Sequence, residues 1–169
     1  MRGGDFSVRM RGDYLGIDGK IADAFNEIAT ANERMAQQLA RVGQVVGREG
    51  QTRQRVNFGL ASGAWADMES SVNTLIDDLL WPTREVTRAV AAVAQGDLLQ
   101  TVQLDVEGRP LRGEFLQSAN IVNTMIKQLS VFTSEVTRVA REVGTEGKLG
   151  GQAQVPEVTG VWKDLTESV

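Results

Sequence analysis

Residues 115–143 read FLQSANIVNTMIKQLSVFTSEVTRVAREV, and the placing of apolar and small side chains in them decides the fold class. Phe115, Ala119, Val122, Ile126, Leu129, Thr133, Val136, Ala140 and Val143 follow one another at steps of four and three without interruption. Such spacing keeps one face of an α-helix turned to a neighbouring helix over about four heptads, so the stretch predicts a coiled-coil or bundle helix. Upstream, Trp65, Glu69, Val72, Ile76, Leu79, Thr83, Val86, Val90 and Val93 keep the same phase. So do Ile21, Phe25, Ile28, Asn32, Met35, Leu39, Val42 and Val46. Helices are therefore expected near 20–46, 65–95 and 114–143. A second apolar row adjoins the first, with Leu75, Leu80 and Ala89 in one helix and Met125, Phe132 and Val139 in the next. Two adjacent seams suit a four-helix arrangement better than a two-stranded rope. A monomeric bundle with a broad apolar face is the simpler alternative. Association between chains is favoured because such thin-cored units have little else to bury against.

The chain also repeats itself. Glycine-containing turns recur at Gly4, Gly50, Gly96 and Gly147, at steps of 46, 46 and 51 residues. Each turn but the last is followed by an asparagine in an apolar helical setting: Asn26, Asn73 and Asn123. A fourth copy would place its asparagine at position 170, one beyond Val169. Periodicity of this length signals an array of one supersecondary unit, and suits relay or recognition better than a single catalytic pocket. The chain begins and ends within a unit, and is expected to be a segment of something longer.

Between the helices lie connectors of about 18 residues, 47–64, 96–113 and 144–160, long for a helix–helix link. They are long enough to run back along a helix and join two parallel ones. Val56, Phe58 and Leu60, then Leu98, Val102, Leu104 and Val106, then Leu149 and Val155, would pin such a strap into a groove. Residues 105–110, DVEGRP, lengthen one connector and read as a surface turn. Pro82 interrupts the second helix, and a proline inside a helix costs roughly 3 kcal/mol. A kink or junction is expected at Trp81-Pro82, where proline would begin a new helical segment.

Composition narrows the chemistry. Aromatic residues make up 5% of the chain and the net charge is −4, so the surface does not attract polyphosphate and nucleic acid is not an expected partner. There is no cysteine, which excludes disulfides and thiolate metal sites, and no histidine, which removes the usual general base and metal ligand. The longest apolar run, 89–94, has six residues, far short of the ~20 that cross a bilayer. No signal peptide is visible.

Gly-Asp-Phe at 4–6 and Gly-Asp-Leu at 96–98 each open a connector followed by a second helix. This resembles the HAMP domain: helix, Gly-Asp-opened connector, helix, parallel in a homodimer. VTRVAREVGTEGKLGGQAQVPEVTGVWKDLT at 136–166 is similar to the tandem HAMP arrays of hybrid sensor histidine kinases, including fungal group III kinases and their bacterial relatives. NTLIDDLLWPTREVTRAVAAVAQGDL at 73–98 and GRPLRGEFLQSANIVNTMIKQL at 108–129 resemble the same arrays. The opening, GDFSVRMRGDYLGIDGKIADAFNEIA at 4–29, looks closer to the bacterial relatives. The resemblance implies an all-α fold of tandem helix–connector–helix repeats, stacked as parallel four-helix coiled coils in a homodimer. The units would be 1–32 (the connector and second helix of the first), 33–81, 82–130 and 131–169 (truncated in its second helix). Glu49-Gly50-Gln51 and Glu146-Gly147-Lys148 stand where the other copies have Gly-Asp, so two alternating subtypes are implied.

The residues expected to form the dimer and bundle core are Ile21, Phe25, Ile28, Leu39, Val42, Val72, Ile76, Leu79, Val86, Val90, Val93, Phe115, Val122, Ile126, Leu129, Val136 and Val143. Connector and junction positions are Gly4, Asp5, Gly50, Pro82, Gly96, Asp97, Glu114 and Gly147. Glu114 and Asp164, near second-helix starts, gain from the helix dipole and are expected to tie the connector to the first helix. Trp65, Phe115 and Trp162 would plug the top of a bundle layer. Residues 144–151, GTEGKLGG, superficially match a phosphate loop, but Leu149 follows the lysine where Ser or Thr is needed. Asp77-Asp78 and Asp67/Glu69 read as solvated helix faces, and Arg48, Arg53 and Arg55 as a soluble surface group.

The function implied is that of a cytoplasmic signal-relay module of a two-component sensor histidine kinase. It would pass a conformational change through adjacent HAMP units to a downstream kinase domain outside this chain. No catalytic residue, cofactor or metal is expected in the segment itself. A static dimerisation scaffold and the HAMP array of a chemoreceptor are the alternatives.

Overall fold

The computed structural model describes residues 1–59, 62–145, 147, 151–156 and 159–168. Leu60, Glu146, Lys148 and Leu149, named above as connector residues, lie outside them. The chain is mostly helical. Helix α1 spans Gly16–Val42 and continues as a π-helical segment, Gly43–Arg48; α2 spans Gly63–Ala94, α3 Gly113–Gly144 and α4 Val161–Ser168. Among the described residues no helix is long and apolar enough to cross a membrane.

Pro82 does not break its helix. α2 runs unbroken through it, and the proline is buried. The expected interruption of the helix is thus corrected, while the division between the two compact units falls between Leu80 and Trp81, beside the expected junction. A proline removes one N–H donor from the ladder, and the helical bonds on either side suffice to carry α2 across the gap. The chain divides into two compact units, Met1–Leu80 and Trp81–Val169, and α2 is the element that passes from one to the other.

Residues 105–110 form more than a surface turn. Asp105–Val106 (β1) and Arg109–Pro110 (β2) pair antiparallel, with Asp105 opposite Pro110 and Val106 opposite Arg109. Glu107 and Gly108 both have positive φ, 51° and 79°, as a two-residue hairpin turn demands. The Leu111 N–H extends the ladder to the Leu104 carbonyl at 2.8 Å.

In the first unit Val42, Val56 and Phe58 are buried together, with Met35, Val46, Val72 and Ile76 packed around them. Here α1, the connector and α2 each supply part of the core. In the second unit Ala89, Val102, Leu111, Ala119 and Ile126 are buried, with Trp81, Val86, Val93, Leu116 and Val122 against them. Full burial of a side chain such as Val or Phe contributes roughly 1.5–3 kcal/mol, so the connectors are structural members of these cores. Of the expected groove residues, Val56, Phe58 and Val102 are buried, Leu98, Val106 and Val155 are half-buried, and Leu104 is exposed. Leu111 and Ala153, not expected there, are buried as well.

Candidate functional site: the connector clasps

The repeated asparagines share one role. The Val102 N–H donates to Asn123 Oδ1 at 2.7 Å, and Asn123 Nδ2 donates to the Val102 carbonyl at 3.0 Å. Asn73 holds Val56 in the same way at 2.9 and 3.0 Å, and Asn26 holds Met10 at 2.7 and 3.0 Å. A carboxamide presents donor and acceptor in one plane. It therefore satisfies both backbone groups of an extended residue, as a neighbouring strand would. Val56 and Val102 are each 2% exposed, so their peptide groups need such a partner inside the fold.

A second hold comes from the preceding helix. Arg41 donates to the Arg55 carbonyl at 2.8 Å, Arg88 to the Thr101 carbonyl at 2.7 Å and Arg138 to the Gln152 carbonyl at 2.8 Å. Each accepting carbonyl lies one residue before the residue that packs inward: Val56, Val102 or Ala153. Neighbours orient the guanidinium: Gln38 for Arg41, Glu85 for Arg88, and Glu135 and Glu142 for Arg138. Hydrogen bonds donated to Glu85 raise the Arg88 pKa, and those donated to Glu135 and Glu142 raise that of Arg138. The hydrogen bond from Arg138, helped by the Gln154 N–H, holds the Glu135 carboxyl below its usual range. Each connector between two described helices is thus gripped by an arginine from one, and two of them by an asparagine from the other.

The turn glycines at Gly4, Gly50, Gly96 and Gly147 all have positive φ, between 65° and 83°. At the end of α2 the Asp97 N–H reaches the Ala92 carbonyl and the Gly96 N–H reaches that of Val93, a Schellman ending that needs a left-handed residue. Asp97 Oδ1 then accepts the Leu99 N–H at 3.0 Å. Asp5 Oδ1 accepts the Ser7 N–H and hydroxyl, which lower the pKa of its carboxyl. A Gly-Asp pair thus ends one helix and turns the chain into the connector. A second set, Gly16, Gly63, Gly113 and Gly160, has φ between 57° and 70° where the following helices begin.

The π-helical segment has the wider winding of bonds five residues apart, seen in the bond from the Glu49 N–H to the Gln44 carbonyl.

The other expected positions fall as follows. Val42 and Ile126 are buried. Phe25, Val72, Ile76, Val86, Val93, Val122, Leu129 and Val136 are half-buried. Ile21, Ile28, Leu39, Leu79, Val90, Phe115 and Val143 are exposed in the single chain. Glu114 stands exposed in the first turn of α3 with no side-chain partner among the described residues. The tie between connector and preceding helix is made instead by Arg88, whose longer side chain reaches the strap. Trp65 is half-buried, and Trp162 meets Phe132 edge-on with ring centroids 6.0 Å apart. Asp77 pairs with Arg55, and Glu69 accepts the Phe58 N–H at 2.6 Å. No cluster of potential metal ligands occurs among the described residues.

The asparagine repeat was visible in sequence, but its partner was not. The arginine repeat went unread, although its steps of 47 and 50 residues equal those of the asparagines. No solved structure matches the chain. The HAMP domain family matches residues 60–130, which contain α2, the hairpin-bearing connector and the clasp of Asn123 on Val102. HAMP domains are signal-transducing relay modules in sensor kinases and chemoreceptors, and usually function as dimers linked to adjacent domains. A HAMP domain is thus found at residues 60–130, 71 of the 169 residues.

Proposed function

We propose that the whole chain is a relay segment of a sensor histidine kinase, built of four HAMP-like units at 1–32, 33–81, 82–130 and 131–169. Two copies pair in parallel, and a conformational bias passes along shared helices to a downstream kinase domain. The observation that carries this reading is recurrence. The asparagine clasp of the HAMP domain at Val102 reappears at Val56 and at Met10, outside the matched residues. A shared helix supports the relay, because α2 belongs to the core around Val56 at one end and to the core around Val102 at the other. Coupling between neighbouring units needs only ~1–3 kcal/mol to change output.

Pairing is supported by the apolar residues that each helix leaves exposed, among them Ile21, Ile28, Leu75, Leu79, Val90 and Phe115. These would close the four-helix seams expected from the heptads. The segment itself is proposed to have no catalytic centre and no cofactor, and to lie in the cytoplasm, where a kinase has its nucleotide.

The absence of cysteine makes a direct test available. Single cysteines are placed at Leu129, in the seam, and at Lys127, about 200° away around α3. Mild oxidation is expected to give disulfide dimers rapidly at 129 and not at 127. Crosslinking at neither site, with a monomeric mass in solution, overturns the paired arrangement.

A further inference from the structure

The Phe58 backbone is held by two charged side chains that belong to neither clasp. Its N–H donates to Glu69 Oε2 at 2.6 Å, and its carbonyl accepts from Arg34 Nη1 at 3.2 Å. Arg34 comes from α1 and Glu69 from α2. Phe58 is 1% exposed, so its peptide group does not readily exchange these partners for water. The next residue, Gly59, is fitted to the arrangement. Its φ is +68°, and a Cβ there would lie 2.6 Å from Arg34 Nη1.

The other connectors lack these groups. Glu69 stands four residues before Asn73, while Ala22 and Ala119 hold that place before Asn26 and Asn123, both buried. Arg34 stands seven residues before Arg41; seven before Arg88 is Trp81, and seven before Arg138 is Val131. Phe58 follows the clasped Val56 by two residues. Its counterpart after Val102 is Leu104, 38% exposed, whose carbonyl is taken by the Leu111 N–H of the hairpin.

We infer that Arg34 and Glu69 are positioning residues that form a second lock, present on this connector and absent from the one around Val102. The lock ties α1 to α2 through the backbone of a single residue, with opposite charges at its N–H and its carbonyl. Charge-assisted hydrogen bonds are stronger than neutral ones, and Glu69 is half-buried, where its bond is less screened. This connector is therefore fixed at two residues, Val56 and Phe58, and the axial register of α1 against α2 is set twice. The connector around Val102 is fixed once and leads into a hairpin that can adjust. Under strain the Val102 connector yields first. The lock lies within one chain and does not depend on pairing between copies.

The test is residue-resolved amide exchange on the 169-residue chain, comparing Phe58, Val56 and Val102. Glu69→Ala installs the residue found at the equivalent positions and is expected to speed Phe58 exchange roughly 10- to 100-fold through local opening. Val56, held by Asn73, and Val102 should change less than about threefold. Glu69→Gln keeps an oxygen acceptor and should restore most of the Phe58 protection, a rescue that a simple packing role would not produce. Arg34→Ala should act at Phe58 in the same direction and more weakly, its bond being the longer of the two, and it decides the matter if Glu69→Ala fails to fold. Unchanged Phe58 exchange in these variants overturns the inference. Equal loss at Phe58 and Val56 also overturns it, because the connector would then open as one body without a second lock.

Discussion

Replacing Asn123 by alanine isolates what the clasp contributes. The substitution removes the acceptor for the Val102 N–H and the donor to the Val102 carbonyl, 2.7 and 3.0 Å away. Val102 is 2% exposed, so neither group gains full access to water in exchange. A buried backbone group left without a partner costs about 1–3 kcal/mol, and partial entry of water softens the sum for both to about 2–4 kcal/mol. At about 1.4 kcal/mol per factor of ten, local opening at Val102 becomes roughly 30- to 1,000-fold more populated. The assay is amide exchange at Val102, with an amide from the middle of α3 as internal reference for global unfolding. Asn123→Asp is the informative companion. It keeps an acceptor for the N–H but sets a carboxylate oxygen against the Val102 carbonyl, and should protect no better than alanine near neutral pH. A change of less than threefold in Asn123→Ala would refute the reasoning. The connector would then be held by side-chain burial alone, and the asparagine repeat would need another explanation.

Two further outcomes follow from the same geometry. Glu135 has its pKa lowered in the folded chain, so its contribution is present above the ordinary carboxylate value of 4.5 and is lost as pH falls through the folded value. Acid titration should therefore loosen the connector at Gln152–Gln154 before the one at Val102, read from the amide shift of Gln154; simultaneous loosening of both would contradict this. Gly96→Ala forces a side chain onto a residue with φ of +83° and should cost about 1–2 kcal/mol in thermal unfolding, with Gly43→Ala, at φ −56° and open space, neutral or stabilising by up to about 1 kcal/mol. Similar losses at both glycines would show that the turn conformation is not what selects Gly96.

Much of the fold was legible because its signals are periodic. The heptad spacing placed three helices to within a few residues, and the glycine steps marked the turns where left-handed residues stand. At Pro82 the units divide as expected, but the helix is not interrupted, for a physical reason. A local penalty of a few kcal/mol was set against a helix anchored in two cores, and the anchoring prevailed.

By itself the sequence determined the helical class, the repeat, the positions of the turns and the absence of cysteine and histidine chemistry. These depend on neighbours along the chain, and spacing alone records them. Only the tertiary structure decided what each repeated residue grips. It showed that Asn73 and Asn123 hold Val56 and Val102, that Arg41 and Arg88 hold the carbonyls just before them, and that Glu69 serves Phe58. Those partners are backbone groups, present at every residue alike. No side-chain pattern distinguishes the one that is held until the connector lies against its helices.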